Sequence, residues 1–262
     1  MNRTIVSISA FDSSCTTGLG ADLKTFQAFR LFGAGVVTAV CAQNTLGMQA
    51  MQPVPMEMVG QQLEAVAGDI KVNGVKIGVL ASAANARIVA SLLGALDLRN
   101  LVVVDPVLIS STGEGLLDEA GIEAMRQDLL PHATVVTPNL REAEVLSGLP
   151  VSDIASAKEA AKQIFALGPK NVVVTGGALA GGRAMDLWYD GNGFHVYDSP
   201  KIPTQNVLGI GGTFAAALCA LLAKGCLMGE AVDRAKKYVT SAIQHPFTIG
   251  KGKGPLNHAV PI

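Results

Sequence analysis

The feature that most constrains the fold is an alternation of short apolar runs with helix-length segments. The runs are rich in β-branched residues and continuous, which is typical of strands buried on both faces of a parallel sheet. Segments such as 55–69 and 84–96 carry apolar residues at three- and four-residue spacing and are predicted as helices. The pattern predicts an α/β fold, a three-layer α/β/α arrangement around a mostly parallel sheet. The predicted strands are TIVSIS, GVVTAVCA, GVKIGVL, LVVVDPV, ATVVTPN and NVVVTGG.

The rhythm changes at residues 184–200, AMDLWYDGNGFHVYDSP. Two alternating runs flank a Gly-rich turn, which predicts an antiparallel hairpin at an edge of the sheet. We find no internal repeat, low-complexity tract or Pro/Ser linker along the chain. Residues 1–262 are therefore expected to form a single domain.

Composition narrows the function classes. The 262 residues carry a formal net charge of −1 and the sequence pI is about 6.4, so a basic surface for nucleic acid is not expected. The longest strongly apolar run, FAAALCALLA, is about half the roughly 20 residues that cross a bilayer, and no secretory leader is recognised. Four cysteines without CxxC spacing favour a reduced compartment. We expect a cytoplasmic protein that binds neither nucleic acid nor membrane.

Ligand sites of doubly wound sheets lie beyond the carboxyl ends of the strands. Asp105 ends one predicted strand and is followed by Pro106, so its carboxylate is a candidate Mg²⁺ ligand, although a loop-capping role is equally compatible. Asn139 and Glu142 follow the next strand and share one helical face. Their spacing also fits an ordinary capping box, so a functional and a structural interpretation both stay open.

Two glycine clusters are also expected at the edge where the strands have their carboxyl ends. Thr175, Gly176 and Gly177 end another strand, where the backbone can approach a ligand closely and a hydroxyl can supply one hydrogen bond. The second cluster, 209–212, runs straight into the small-residue helix TFAAALCALLAKG. Free backbone N–H groups at such a helix start bind anions, phosphates included.

With these features in order, the chain resembles the ribokinase superfamily, and within it the hydroxymethylpyrimidine/phosphomethylpyrimidine kinases of thiamin biosynthesis. The similarity runs essentially from end to end, and the motifs are specific in combination. The stretches that carry it are GLGADLKTF, TAVCAQNTLGMQA, VKIGVL, DPVLISSTGEGLL, TPNLREAEVL and GKGPLNH.

The resemblance implies a ribokinase-like fold and ATP-dependent phosphorylation of a small pyrimidine alcohol or its monophosphate, with Mg²⁺. It also implies a homodimer. The site it implies consists of Asp105 and Glu142 at the metal, Asn139, Thr175 and Gly177 at the nucleotide, Asp22, Gln43 and Val107 at the pyrimidine, and Gly209, Gly211 and Gly212 as an anion hole.

The chain also departs from the family pattern. The family usually shows a GTGC-type loop, whereas this chain has Ile210 for the Thr and Gly212 for the Cys. Thr175 replaces a Lys that commonly precedes the paired glycines, and AFDSSCTTG at 10–18 replaces a loop like GSDPSGGAG. Since glycine has no side chain to accept a proton, the usual base is missing at position 212.

These departures leave three functions open. The first is a kinase that phosphorylates the pyrimidine monophosphate better than the alcohol, because a phosphate near neutral pH is already largely anionic. The second is a kinase for a pyridine alcohol such as pyridoxal or pyridoxine, suggested by the altered loop. The third is a binding or regulatory protein with weak or no catalysis. Asp12 and Cys15 are nearby candidates for a replacement base, but sequence alone does not place either at the acceptor.

Overall fold

The computed structural model describes residues 3–110, 113–176 and 182–262. Its core is a nine-stranded sheet in the order β3-β2-β1-β4-β5-β6-β7-β8-β9. The strands are β1 Thr4–Asp12, β2 Phe32–Asn44, β3 Gly47–Pro53, β4 Gly74–Ile77, β5 Val102–Val104, β6 Val135–Val136, β7 Val172–Gly176, β8 Arg183–Tyr189 and β9 Phe194–Pro200.

The central strands run parallel and the edges are antiparallel. β2, β1, β4, β5, β6 and β7 pair in parallel, as the continuous apolar runs predict. The hairpin predicted at 184–200 is confirmed as β8 and β9, with β8 antiparallel to β7. The opposite edge carries β3, antiparallel to β2, which the sequence analysis did not predict.

Helices cover both faces of the sheet. They are α1 Gly18–Ala28, α2 Met56–Asp69, α3 Ala83–Ala95, α4 Glu119–Ala124, α5 Leu140–Ser147, α6 Ile154–Phe165, α7 Ile210–Ala223 and α8 Met228–Gln244. Alternate residues of one strand point to opposite layers: Val102 and Val104 pack in the layer of α2 to α6, and Val103 packs in the layer of α1, α7 and α8. The predicted three-layer α/β/α architecture is confirmed.

Chain topology determines where a ligand site forms. Strand order reverses between β1 and β4, which leaves a crevice at the carboxyl ends of these strands. α7 begins at the same edge, after a left-handed Gly209. Among the described residues, no helix is long and apolar enough to span a membrane.

Candidate active site

A cavity of about 710 Å³ lies along this edge of the sheet. It brings together most of the residues predicted from the separate strand ends. Asp22 does not line it, and Gly177 lies outside the described residues. The predicted residues that line the cavity are Gln43, Asp105, Val107, Asn139, Glu142, Thr175, Gly209, Gly211 and Gly212.

The glycine loop forms the start of α7. Gly209 has φ +82°, and a Cβ there would lie 2.6 Å from the carbonyl oxygen of Thr16, so this position requires glycine. The first N–H groups of the helix have no intrahelical acceptor and carry the positive end of the helix dipole. A Cβ at Gly212 would lie 3.7 Å from Asp105 Oδ2. The anion-binding helix end therefore adjoins the predicted metal ligand.

Asp105 is held at the cavity wall directly after β5. Its backbone N–H donates to the carbonyl of Ile77 at 2.8 Å, and its side chain is almost fully buried. Burial, together with the nearby carboxylate of Asp22, raises the pKa of Asp105 to about 6, although Lys76 opposes the shift. Asp105 Oδ2 is buried without a hydrogen-bond partner, and the ammonium of Lys76 lies 3.7 Å from it.

Glu142 has a structural role as well as a place at the cavity. Its Oε2 accepts from the backbone N–H of Asn139 at 2.8 Å, while Asn139 Oδ1 accepts from the N–H of Glu142 at 3.0 Å. These two bonds form a capping box, so the structural interpretation of the Asn139–Glu142 spacing is confirmed. Burial, with a smaller effect of the charge of Asp105, raises the pKa of Glu142 to about 8.

These two acids fit a magnesium ion. Mg²⁺ prefers oxygen ligands and usually binds through one or two carboxylates together with substrate phosphates. Asp105 offers a buried oxygen without a hydrogen bond, and both carboxyls have raised pKa values that a divalent cation would lower. Among the described residues, no cluster of three or more Asp, Glu, His or Cys side chains could hold a metal ion without further ligands.

Asp22 lies behind the cavity in a buried ion pair with Lys76. Its Oδ2 is 3.0 Å from Lys76 Nζ and accepts from the hydroxyl of Ser7 at 2.6 Å. Lys76 Nζ is also 3.7 Å from Asp105 Oδ2. Burial alone would lower the pKa of Lys76, but attraction to Asp22 and Asp105 outweighs it and the pKa is raised. Asp22 does not line the cavity itself, but its Oδ1 would lie 3.9 Å from a Cβ at Gly212, the same distance as Nζ of Lys76, a residue that no sequence motif indicated.

Asp12, considered above as a replacement base, is fully engaged at the end of β1. Burial raises its pKa, but hydrogen bonds from Ser14, Thr17 and Thr16 outweigh this and the net pKa is lowered. A carboxylate stabilised in its charged form and saturated with donors is a poor proton acceptor. The network indicates that Asp12 organises the loop.

A second ion pair was not predicted. Lys236 on α8 lies 2.7 Å from Asp186 on β8, and both line the far part of the cavity. The other oxygen of Asp186 accepts from the backbone N–H of Gly176 at 3.1 Å. Fifty residues separate the partners, so no local pattern reveals the pair.

The C-terminal segment holds the start of α7 through a buried histidine. His258 Nε2 lies 3.0 Å from the hydroxyl of Thr213, which follows the glycine loop, and the hydroxyl of Tyr238 donates to the carbonyl of His258. Burial, with a smaller effect of Lys24, lowers the pKa of His258 to about 4. The imidazole is therefore neutral in the folded protein near pH 7.

This predicts acid-sensitive stability. Between the folded pKa of about 4 and the usual 6.5, the unfolded chain binds the extra proton, so the unfolding free energy falls as pH decreases. The contribution of His258 is about 1.4 kcal/mol per pH unit in this window. Urea unfolding at pH 7.5 and 5.0 should show a smaller pH dependence for His258→Gln than for the unsubstituted protein. An identical pH dependence in both proteins would contradict the assignment.

Comparison with known proteins identifies the family. A family model described as phosphomethylpyrimidine kinase matches residues 12–257. The chain belongs to the phosphomethylpyrimidine kinase family. The resemblance inferred from the motifs is confirmed.

Relatives within the phosphomethylpyrimidine kinase family align over nearly the whole chain. The hydroxymethylpyrimidine/phosphomethylpyrimidine kinase of Haemophilus influenzae is 41% identical over 261 residues, which cover 98% of this chain and 96% of that protein. The Bacillus subtilis protein of the same name is 38% identical, with coverage of 97% and 93%. The chain also matches the thiamine biosynthesis bifunctional protein ThiED of Geobacter sulfurreducens at 41% identity, with coverage of 97% of this chain, but it spans only 52% of that protein.

Solved structures similar to this phosphomethylpyrimidine kinase family member include a pyridoxal kinase and a phosphomethylpyrimidine kinase. An ADP complex of Bacillus subtilis pyridoxal kinase superposes with a TM-score of 0.91 at 35% identity, covering 99% of this chain and 98% of that one. A phosphomethylpyrimidine kinase from Clostridium difficile superposes with a TM-score of 0.82 at 36% identity, covering 92% and 100%. The predicted ribokinase-like architecture agrees with both.

Proposed function

We propose that this protein transfers a phosphoryl group from ATP to 4-amino-5-hydroxymethyl-2-methylpyrimidine, to its monophosphate, or to both. One observation carries the proposal: the free helix end at Gly211 and Gly212 directly adjoins the carboxylate of Asp105 in a single cavity. A phosphoryl group in transfer needs such a combination of backbone donors and a metal-binding acid. The names of the relatives supply the substrate class.

In this proposal each part of the cavity has one task. The N–H groups at the start of α7 bind the oxygens of the transferred phosphate, and Asp105 and Glu142 hold Mg²⁺. The bound metal neutralises negative charge on the phosphates. Asn139 and Thr175, which pair as an isolated bridge, face the nucleotide, and Gln43 and Val107 face the acceptor ring. Gly177 is also proposed to contact the nucleotide. Asp22 is proposed to act at the pyrimidine from behind the cavity, where it is paired with Lys76.

Because Gly212 cannot act as a base, the rate of phosphoryl transfer should depend on whether the acceptor is the alcohol or the monophosphate. An alcohol must lose a proton as it attacks, and the loss of a general base typically costs about 10²- to 10⁴-fold. A phosphate monoester, with a second pKa of about 6, is already largely ionised near neutral pH. The monophosphate step is therefore expected to survive better than the alcohol step.

Steady-state kinetics with Mg·ATP test the proposal. The protein is assayed with the pyrimidine alcohol, its monophosphate and pyridoxal under identical conditions. A higher kcat/KM for the monophosphate than for the alcohol supports the proposed order. Equal or faster turnover of the alcohol would refute the acceptor preference, and no ADP release despite tight pyrimidine binding would favour a binding protein.

Pyridoxal phosphorylation is the second candidate function. The pyridoxal kinase of Bacillus subtilis has the higher TM-score of the two structures compared above, and the loop at 10–18 differs from the usual family sequence. Under this alternative the cavity takes a pyridine alcohol in place of the pyrimidine. Phosphorylation of pyridoxal without turnover of either pyrimidine would replace the first candidate.

The proposal extends to the cellular setting. All four cysteines are free thiols, which supports a reduced cytoplasmic location. We also propose that residues 1–262 act as a single domain and that two chains form a homodimer, as the resemblance implies. Sedimentation equilibrium measures the mass in solution, and a mass of one chain would refute the dimer.

A further inference from the structure

The altered loop at 10–18 builds a hydrogen-bond network around Asp12. Besides two bonds from Ser14 to Oδ1, Asp12 Oδ2 accepts from the backbone and hydroxyl of both Thr16 and Thr17. Thr16 and Thr17 stand where the family pattern carries Gly and Ala. Their two hydroxyls are therefore additions of this chain.

The same network reaches Gln43 at the end of β2. Gln43 Nε2 lies 3.0 Å from Asp12 Oδ2 and 3.1 Å from the hydroxyl oxygen of Thr17. An ionised carboxylate can only accept. The single hydroxyl hydrogen of Thr17 is donated to Asp12 at 2.9 Å, so toward Gln43 this hydroxyl can also only accept.

Two acceptors on one side fix the orientation of an amide. The NH₂ group of Gln43 must face Asp12 and Thr17, since the reverse orientation would place its carbonyl against two oxygens. Within the described part of the chain, no residue donates to Gln43 Oε1. Gln43 lines the cavity beside Cys41 and Met48, which offer no strong hydrogen-bond donor.

We propose that Thr17, together with Asp12, is a positioning residue for Gln43. By holding the NH₂ group of Gln43, the two residues turn its Oε1 toward the cavity, where this oxygen accepts a hydrogen bond from an amino group on the substrate ring. This inference rests on the proposed pyrimidine kinase function and deepens it. An exocyclic amine donates to Oε1, whereas a ring without that amine leaves Oε1 unpaired in the cavity. Such unpaired groups are the physical basis of discrimination against analogues that lack a donor.

The test compares two ligands and two variants. Calorimetry measures binding of 4-amino-5-hydroxymethyl-2-methylpyrimidine and of the analogue with hydrogen in place of the amino group. Thr17→Val keeps the shape and removes the hydroxyl, and Thr17→Ser retains it. The unsubstituted protein and Thr17→Ser should prefer the amino compound, and Thr17→Val should lose about three- to tenfold of that preference, the range of one neutral hydrogen bond.

A general packing defect would weaken both ligands alike and leave their ratio unchanged, so the ratio isolates the orientation effect. Thermal unfolding confirms that each variant is folded. An unchanged ratio in Thr17→Val, or equal loss in Thr17→Ser, would overturn the inference while pyrimidine turnover could still support the proposed function. If the unsubstituted protein binds both compounds equally, or neither, Gln43 does not recognise the amine and the inference also falls. Failure of the kinase assay with clear amine discrimination would instead count against the proposed function alone.

Discussion

Replacing Gly212 by cysteine is expected to raise kcat/KM for the pyrimidine alcohol by about 10²-fold or more, the lower end of what a general base contributes. A Cβ at this position meets Asp105 Oδ2 at 3.7 Å and both Asp22 Oδ1 and Lys76 Nζ at 3.9 Å, which are ordinary van der Waals distances. A Cβ therefore fits at this position without moving the helix. The helix N-terminus and Lys76 favour the thiolate, the form that accepts a proton, whereas the carboxylates of Asp105 and Asp22 oppose it, so the prediction requires the first two to outweigh the second two.

The monophosphate step should change by less than about threefold, because its acceptor needs no strong base. Steady-state assays on both acceptors measure the two effects in the same preparation. Gly212→Ala is the matched control, since it adds the Cβ without the thiol and should leave the alcohol rate unimproved. Equal acceleration by Ala and Cys, or equal acceleration of both acceptors, would show that the base is not what position 212 lacks.

Much of the fold could be predicted because the signals were local. Continuous β-branched runs such as LVVVD specify strands buried on both faces, and these became the parallel strands around β5. Strand β3 was not predicted because its sequence, GMQAMQP, contains no β-branched residue. Its conformation comes from antiparallel pairing with β2, a contact that no local propensity encodes.

The part of the candidate site that lies at strand ends could be predicted from the sequence. Asp105, Asn139 and Thr175 converge because parallel strands place their carboxyl ends on one edge. The motif does not specify the side-chain direction of Asp22 on α1, and in the structure Asp22 is paired with Lys76. A signal was present, however: a lysine inside the apolar run VKIGVL must find a buried counter-charge.

Replacing Lys76 by methionine is expected to cause a large loss of stability, because Lys76 balances two buried carboxylates. Lys76 is about 1% exposed and lies 3.0 Å from Asp22 and 3.7 Å from Asp105. Its removal leaves two buried carboxyls without compensation, and breaking a buried pair in this way costs about 3–5 kcal/mol. This is a large part of the total stability of a domain, about 5–15 kcal/mol. Urea denaturation at pH 7.5 gives the change in unfolding free energy.

The double variant Lys76→Met with Asp22→Asn separates charge from packing. It removes one of the two uncompensated carboxylates and should recover part of the stability, so the two substitutions should not be additive. Ser7 can still donate to the oxygen of the new amide, which preserves the 2.6 Å contact seen with Asp22. A loss below about 1 kcal/mol in Lys76→Met, or strict additivity in the double variant, would mean that the buried charges are balanced by other groups. The double variant retains Asp105. Its kinase activity, measured under conditions where it is folded, therefore also shows whether Asp22 and Lys76 affect the reaction as well as stability.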